Sequence, residues 1–312
     1  MSALAWILLM TLSVVWGGSF FFNAVILREL GPFGVVFGRV FLGFLILLAV
    51  VKGRGLRLDI AANWKAFLVM GLLNNFVPFN LIVYGQTFID SGLASIFNAT
   101  TPFFAVALAY FVARDEDVGV RKLVGVVIGV AGVSVLFGIG GGGMDTGALF
   151  GGAMVMAGSF SYALAGIFGK RFGGMAPEVS ACGMLMFAAL LCVGPAAWHD
   201  GANFARMSWN GAAALVGIAG LSTAFAYILY FRILKMAGAV NLLLVTLLIP
   251  ISATLLGVTL LDEGVNASEI LGMAIIGMGL LVVDGRILGC FLRGIRQFKR
   301  RETSSTNGDG KA

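Results

Sequence analysis

The chain has 312 residues, of which 59% are hydrophobic and only 12% are charged, and its mean hydropathy is +0.99. Soluble globular domains carry charge on about a quarter of their residues, so this composition excludes an ordinary soluble domain and indicates an integral membrane protein. The formal net charge of +6 predicts no nucleic-acid partner, because membrane proteins gather Lys and Arg in their cytoplasmic loops.

Ten segments of the chain are apolar enough to cross a bilayer as a helix, which takes about 20 residues. The first has neither the basic start nor the small-residue cleavage site of a signal peptide, so we expect it to be retained. The sequence therefore predicts an all-α integral membrane protein with ten transmembrane helices. The segments lie at about 3–26, 33–51, 66–88, 93–113, 121–139, 148–168, 178–198, 211–231, 239–261 and 268–287.

The distribution of Lys and Arg predicts the orientation of these helices. If the N-terminus is cytoplasmic, every Lys and Arg except Arg28, Arg39 and Arg206 falls in a cytoplasmic loop or in the C-terminal tail. Cytoplasmic loops attract such an excess, so we expect both termini in the cytoplasm. The tail, residues 288–312, contains a basic strip that is expected to lie on anionic lipid.

The second half of the sequence repeats the first. Residues 92–138 and 238–285 each begin with glycine and hold a proline, Pro102 or Pro250, followed thirteen positions later by an acidic residue. Two glycines seven positions apart come next in each half. So long a common register indicates an internal duplication.

The duplication predicts a first repeat at 1–138, a Gly-rich linker at 139–147 and a second repeat at 148–287. Each repeat has five segments, and five is odd, so the second repeat starts on the opposite side of the membrane and is inverted. Inverted repeats of this kind are typical of secondary transporters, which bind solute near the membrane midplane between the repeats.

Five of the segments carry distinctive motifs. They are "WGGSFFFNA" in the first segment, "PFGVVFGRV" in the second, "SGLASIFNATTPFF" in the fourth, "AGAVNLLLVTLLIP" in the ninth and "ILGMAIIGMGLLV" in the tenth. Together these motifs resemble the EamA branch of the drug/metabolite transporter (DMT) superfamily. The resemblance implies ten helices in two EamA repeats, residence in a bacterial inner membrane, and movement of small organic metabolites, often outward.

Polar side chains at helical spacing identify candidates for a substrate pathway. An amide or hydroxyl that faces lipid without a partner is costly, so these side chains are expected to face protein or water. The alternative is that they join helices to one another, as polar and small side chains do in membranes. The candidates are Trp16, Asn23, Arg39, Asn75, Asn80, Tyr84, Asn98, Thr101, Tyr162, Tyr227 and Tyr230.

Three prolines, Pro78, Pro102 and Pro250, are predicted helix breakers because proline removes a backbone donor and frees a carbonyl. Asn98 stands beside Pro102, and Asn75 stands near Pro78. These pairs favour hydrogen-bonding groups that face a central cavity, with the apolar half of the fourth helix packed in the bundle.

Arg39 is the one cation well inside a segment, about 10 Å along the second helix from Pro32. A charge at that depth is expensive. Two roles remain open for Arg39: a structural one, with the guanidinium bonded to backbone carbonyls, and the attraction of a substrate carboxylate. No Asp or Glu lies in the middle of any segment, which favours neutral, zwitterionic or anionic substrates over exchanged cations.

Nothing in the sequence predicts a catalytic residue, a metal site or a cofactor. His199 has no Cys or His near it in sequence, and Cys182, Cys192 and Cys290 have no ligand-like spacing. The most favoured function is a secondary transporter that exports amino acids or related metabolites. Drug efflux and metabolite uptake are the alternatives, while a channel or an intramembrane enzyme is less favoured.

Overall fold

The computed structural model describes residues 2–111, 119–137, 145–172, 174–242 and 245–285. Most of the predicted linker, the acidic residue after Pro102 and the tail at 288–312 therefore lie outside the described residues. Thirteen α-helices are found in the described part. They are α1 Ala3–Ile26, α2 Pro32–Gly53, α3 Ile60–Gly71, α4 Val77–Gly85, α5 Ser91–Asn98, α6 Thr101–Phe111, α7 Val120–Leu136, α8 Thr146–Phe168, α9 Pro177–Phe204, α10 Trp209–Ala219, α11 Ala226–Leu242, α12 Val245–Leu260 and α13 Ala267–Asp284.

Some of these helices continue into one another, and the continuous units are long enough to span a bilayer. Eight such units in the described part have the required length and hydropathy, and Leu248–Leu260 is a shorter apolar helix. A spanning helix satisfies its own backbone hydrogen bonds, which lipid cannot do. The chain is therefore a multi-pass membrane protein with an all-α fold.

Local sequence fixes where the helices begin. The side chains of Ser2, Asp59, Asp145 and Ser208 accept hydrogen bonds from backbone N–H groups in the first turns of α1, α3, α8 and α10. Proline occupies the first position of α2 and of α9, where its missing N–H has no intrahelical role. Helix α13 ends at Gly285, whose φ of 70° is the left-handed conformation that glycine tolerates.

Two helices widen into a π-helical turn at corresponding places in the two halves. Leu72–Phe76 joins α3 to α4, and Gly220–Phe225 joins α10 to α11. The Ser161 hydroxyl of α8 donates to the Leu73 carbonyl at 2.7 Å, and the Ser222 hydroxyl donates to the Val15 carbonyl of α1 at 2.7 Å. Each π turn is therefore bonded to the first helix of the opposite half. Such turns often mark functional sites.

Helix packing is preserved when the two halves are exchanged. Helix α2 packs against α9, and α7 packs against α13. Helix α1 contacts α10, α11 and α12, just as α8 contacts α4, α5 and α6. This exchange pattern fits two structural repeats that pack through equivalent faces.

Glycine permits the close contact between α7 and α13. A Cβ atom added at Gly125 would lie 2.7 Å from the Gly279 carbonyl oxygen, and one added at Gly279 would lie 2.8 Å from that of Gly125. Membrane helices associate through such small-residue faces because lipid supplies no hydrophobic force between them.

The structure corrects two sequence predictions about helix ends. Helix α12 runs through Pro250 without interruption, so this proline is not a helix breaker. Helix α9 continues to Phe204, six residues beyond the predicted end at 198, and so includes Asp200. The polar stretch around Asp200 reads as a loop in the sequence, but its carboxylate is buried against another helix, as described below.

Candidate functional site

A cavity of about 640 Å³ lies between the two halves of the molecule. That volume suits a small organic solute. Eight of the predicted pathway residues line the cavity: Trp16, Asn23, Arg39, Asn98, Thr101, Tyr162, Tyr227 and Tyr230. The structure thus brings together side chains from α1, α2, α5, α6, α8 and α11.

Arg39 is only 7% exposed and lies on the wall of this cavity. Its Nε donates a hydrogen bond to the Thr223 hydroxyl at 3.0 Å, and its guanidinium carbon lies 3.8 Å from the centre of the Phe79 ring. The ring face attracts the cation. The two contacts come from opposite halves of the chain and hold the guanidinium plane in place.

The predicted break beside Pro102 is present, because α5 ends at Asn98 and α6 begins at Thr101. Pro102 has no N–H to donate to the Asn98 carbonyl. The Thr101 hydroxyl donates to that carbonyl at 2.8 Å instead, and the Ser159 hydroxyl of α8 lies 3.4 Å from it. The break is therefore stabilised by hydroxyl groups beside the cavity.

Aromatic side chains form another part of the wall. The rings of Trp16 and Tyr230 lie 5.8 Å apart between centroids, at an interplanar angle of 44°. The Tyr227 hydroxyl accepts hydrogen bonds from the amide nitrogens of Asn74 at 3.2 Å and Asn75 at 3.4 Å. Asn75 is fully buried and does not line the cavity, so it contributes by positioning the Tyr227 side chain.

Two other predicted pathway residues lie away from the cavity. Tyr84 is 44% exposed and contacts the rings of Phe88 and Phe150, so it belongs to an outer aromatic cluster. The Asn80 amide donates to the Phe76 carbonyl at 2.7 Å within its own helix. Neither side chain lines the cavity.

A second pocket, of about 220 Å³, lies next to the central cavity. Gln86 lines this pocket, and its side-chain oxygen accepts a hydrogen bond of 2.8 Å from the Asn23 amide, which lines the central cavity. The Gln86 amide also donates to the Phe20 carbonyl at 3.1 Å. The Asn23–Gln86 pair therefore separates the two spaces.

Asp200 joins the two halves at the end of the bundle that holds this second pocket. Its carboxylate oxygens accept from the backbone N–H groups of Gly31 at 2.6 Å and Gly34 at 3.0 Å. The side chain is only 2% exposed. A buried carboxylate is stable there because the first turn of α2 supplies unsatisfied donors and the positive end of the helix dipole.

Two more carboxylates make the same kind of contact. Glu263 accepts from the Ser91 N–H at 3.0 Å, from the Ser91 hydroxyl at 2.7 Å and from the Gly92 N–H at 3.3 Å, at the start of α5. Glu29 accepts from the N–H and the hydroxyl of Ser208, both at 2.6 Å, at the start of α10. All three contacts cross between the halves, and we call them the carboxylate latches: Asp200 with Gly31 and Gly34, Glu263 with Ser91 and Gly92, and Glu29 with Ser208.

Two carboxyl groups near the latches titrate away from their usual range, in opposite directions. Hydrogen bonds from the side chain and then the backbone of Ser208 lower the pKa of Glu29. Burial, and then the neighbouring Glu263 carboxylate, raise the pKa of Asp90. The contact between Glu29 and Ser208 is therefore fully formed at pH values above the ordinary carboxyl pKa. It weakens as the pH falls through the lowered pKa of Glu29.

The opposite end of the bundle is basic. Lys52, Arg57 and Lys65 are exposed there, and Arg54 forms an ion pair with Glu178 between α2 and α9. The cavity lining extends to Phe172 and Met175 in the loop between α8 and α9, at this same end. The cavity thus reaches the basic end, while the carboxylate latches hold the other end together.

The described residues contain no group of three or more His, Cys, Asp or Glu side chains that could hold a metal ion. The carboxylate latches and Phe79 are the features that sequence reasoning missed. The sequence signal for a latch was an acidic residue in a loop before or after a transmembrane segment. The helix start that each acidic residue contacts lies far away in the sequence, so the local pattern did not identify the pair.

Comparison with known proteins agrees with the two-repeat arrangement. The model of the EamA-like transporter family matches residues 3–138 and again residues 149–283. The uncharacterized transporter YoaV of Bacillus subtilis is 25% identical over 277 residues, which cover 88% of this chain and 94% of the relative. The uncharacterized inner membrane transporter YedA of Escherichia coli K12 is 25% identical over 284 residues, covering 88% and 89%.

A solved crystal structure has the same fold, with a TM-score of 0.65 at 18% sequence identity, over 94% of this chain and 99% of that one. An uncharacterized transporter of Archaeoglobus fulgidus is 24% identical over 278 residues, covering 89% of this chain and 98% of the relative. The family model alone spans most of the sequence in two matches, and the chain therefore belongs to the EamA-like transporter family of membrane transporters.

Proposed function

We propose that this transporter carries small organic metabolites, most favourably amino acids or related compounds, out of the cell by alternating access. The observation that carries the proposal is the central cavity between the halves, together with three carboxylate latches that join those halves at the end opposite to the basic one. A carrier needs a solute site whose two entrances are not open together. The cavity and the latches meet that need.

The proposed topology has ten transmembrane helices in two inverted repeats, with both termini in the cytoplasm of a cell whose inner membrane holds the protein. The basic end of the bundle is then cytoplasmic, and the latch end faces outward. Similarity to YedA, which is named as an inner membrane transporter, supports this location. In this orientation the structure corresponds to a carrier open toward the cytoplasm.

Export then requires the latches to separate while the cytoplasmic entrance closes. The π turns at Leu72–Phe76 and Gly220–Phe225 are suited to this movement, because each is bonded to the first helix of the opposite half. The closely packed α7 and α13 provide a contact about which the repeats can rock. Solute leaves by way of Asn23 and Gln86 into the smaller outer pocket.

The direct test is efflux from proteoliposomes preloaded with a mixture of amino acids and other small metabolites, with and without an imposed pH gradient. We expect saturable efflux of one chemical class, dependent on the protein. Linear efflux that never saturates would indicate a channel, and no efflux above that of empty liposomes would contradict the proposal.

Blocking the predicted outer exit provides a control within the chain. Asn23→Trp places a bulky side chain where the cavity meets the outer pocket, and we expect it to stop efflux. Phe150→Trp alters the outer aromatic cluster around Tyr84, which does not line the cavity, and we expect it to transport normally. Equal rates in both variants would exclude this exit route.

A further inference from the structure

We propose that Arg39 binds a carboxylate group of the transported solute, so that the substrates are small organic carboxylates with a single negative charge at the site. This inference rests on the proposed function, because it names the solute class of the same cavity. It decides between the two roles for Arg39 that the sequence leaves open.

The first argument is the orientation of the guanidinium. Its Nε is bonded to the Thr223 hydroxyl, whose own proton is donated to the Ile218 carbonyl at 2.9 Å. Phe79 covers one face of the plane at 3.8 Å. Arg39 lines the cavity, and its one hydrogen bond to the described residues uses Nε. The two terminal nitrogens, Nη1 and Nη2, are left to form the planar fork that pairs with both oxygens of a carboxylate.

The second argument is the absence of a protein counter-charge. Among the described residues, none of the side chains that line the cavity is Asp or Glu, and Arg39 forms no ion pair. Besides the Thr223 hydroxyl, the polar groups around it include the hydroxyls of Tyr162 and Tyr227. A buried cation without a counter-charge is unfavourable, and an anionic solute would remove that penalty. A purely structural arginine would instead be expected to have an acidic partner in the protein.

Tyr227 adds a second donor for the same anion. Its hydroxyl oxygen already accepts from the amides of Asn74 and Asn75, so its own proton is directed to another acceptor. Arg39 is the one Lys or Arg among the described lining residues. One fixed positive charge suits a carboxylate better than a phosphate ester, which carries about two negative charges at neutral pH.

The remainder of the wall indicates an apolar or planar body for the solute. Trp16, Phe20, Ile82 and Ile249 line the same cavity. Such surfaces favour burial of apolar area, at roughly 25 cal/mol per Å². The expected substrates are therefore carboxylates with a hydrophobic or aromatic portion, a class that includes the larger apolar amino acids.

The test uses two pairs of probes that differ only at the carboxylate: phenylacetate with phenylacetamide, and L-phenylalanine with L-phenylalaninamide. Binding to the purified protein is measured by thermal unfolding, and efflux is measured from proteoliposomes. We expect the carboxylates to bind the wild-type protein at least tenfold more tightly than the amides. Arg39→Gln should lower carboxylate affinity about ten- to a hundredfold, in line with the loss of a charged hydrogen-bonded pair, and leave amide affinity unchanged.

Two further variants separate binding from folding. Arg39→Lys retains the charge but not the fork, so we expect an intermediate affinity. Arg57→Gln removes an exposed arginine at the basic end and should leave every affinity unchanged. Monodisperse elution of each variant shows that it is folded.

The outcomes distinguish this inference from the proposed function. Equal binding of carboxylates and amides, or full carboxylate affinity in Arg39→Gln, would overturn the inference even if transport is robust. Arg39-dependent carboxylate binding without any efflux would support the inference and overturn the carrier proposal. Absence of both binding and efflux would overturn both.

Discussion

Removing the Asp200 latch should open the latch end of the transporter, which faces outward in the proposed orientation. Asp200→Ala eliminates the hydrogen bonds to the N–H groups of Gly31 at 2.6 Å and Gly34 at 3.0 Å. Each hydrogen bond to a charged group contributes roughly 1.5–3 kcal/mol. In the outward-open state water hydrates these N–H groups, so removing the carboxylate destabilises only the closed state. We expect a net shift of about 3 kcal/mol, which is about a hundredfold in the equilibrium constant.

The assay measures access to the cavity from the outside. Ser19 lines the cavity, and Ser19→Cys, in a variant whose three native cysteines are replaced, provides a single thiol. Right-side-out vesicles are treated with a membrane-impermeant maleimide. If the labelling rate is proportional to the population of the outward-open state, Asp200→Ala should raise that rate by up to a hundredfold.

Two further substitutions make the result specific. Asp145→Ala removes a carboxylate that caps its own helix, through the Ala148 N–H at 2.7 Å, and should leave the labelling rate unchanged because it joins no second repeat. Asp200→Asn keeps one acceptor and should give an intermediate rate. If Asp200→Ala and Asp145→Ala label equally, the latch has no part in closure. Faster labelling in inside-out vesicles alone would reverse the proposed orientation.

Three other perturbations test neighbouring parts of the structure. Burial and the Glu263 carboxylate raise the pKa of Asp90. The contribution of Asp90 to the stability of the closed state is therefore present below the ordinary carboxyl pKa and is lost as the pH rises through the raised value. Asp90→Asn has no charge to lose, so it should slow outside labelling at neutral pH. Gly279→Leu should reduce the unfolding temperature in detergent, because α7 lies against that position, whereas Gly277→Leu should not, since a Cβ there meets nothing within 4 Å. Gln86→Ala should raise the efflux rate by removing the side chain that separates the cavity from the outer pocket; a slower rate would show that Gln86 assists passage.

Composition predicted the membrane fold well because a bilayer imposes strong constraints. Each span must be apolar and helical over about 20 residues. The positions of Lys and Arg, together with the internal repeat, also predicted a membrane topology. The two matches to the family model show the duplication independently. These properties are local or periodic, so one sequence is enough to detect them.

The local sequence does not predict whether a helix breaks at a proline. Pro102 and Pro250 occupy matching places in the two repeats, yet the helix breaks at the first and continues through the second. A break is stable only where other donors reach the freed carbonyl, as Thr101 and Ser159 do for Asn98. Ser159 lies 61 residues from Asn98, and nothing in the local pattern indicates that the two will meet.

The latches and the position of Tyr84 outside the cavity lining have the same explanation. Asp200 follows an apolar segment in a polar stretch that is typical of a loop, and its partner Gly31 lies 169 residues away. Tyr84 matches Tyr230 in the repeat, but only Tyr230 lines the cavity, while Tyr84 faces outward at the end of its helix. Aromatic residues at such ends are common where helices meet the membrane interface.

This difference between equivalent positions is itself informative about the solute. Helices α2 and α9 begin with proline and pack against each other, and Arg39 and Met184 each lie seven residues after that proline. Both side chains line the cavity, so a nearly two-fold scaffold presents a cation on one side and a thioether on the other. A symmetric scaffold allows two alternating states of similar energy. Its asymmetric lining favours a solute with two unlike ends, which is the form of the carboxylate with an apolar body that we propose.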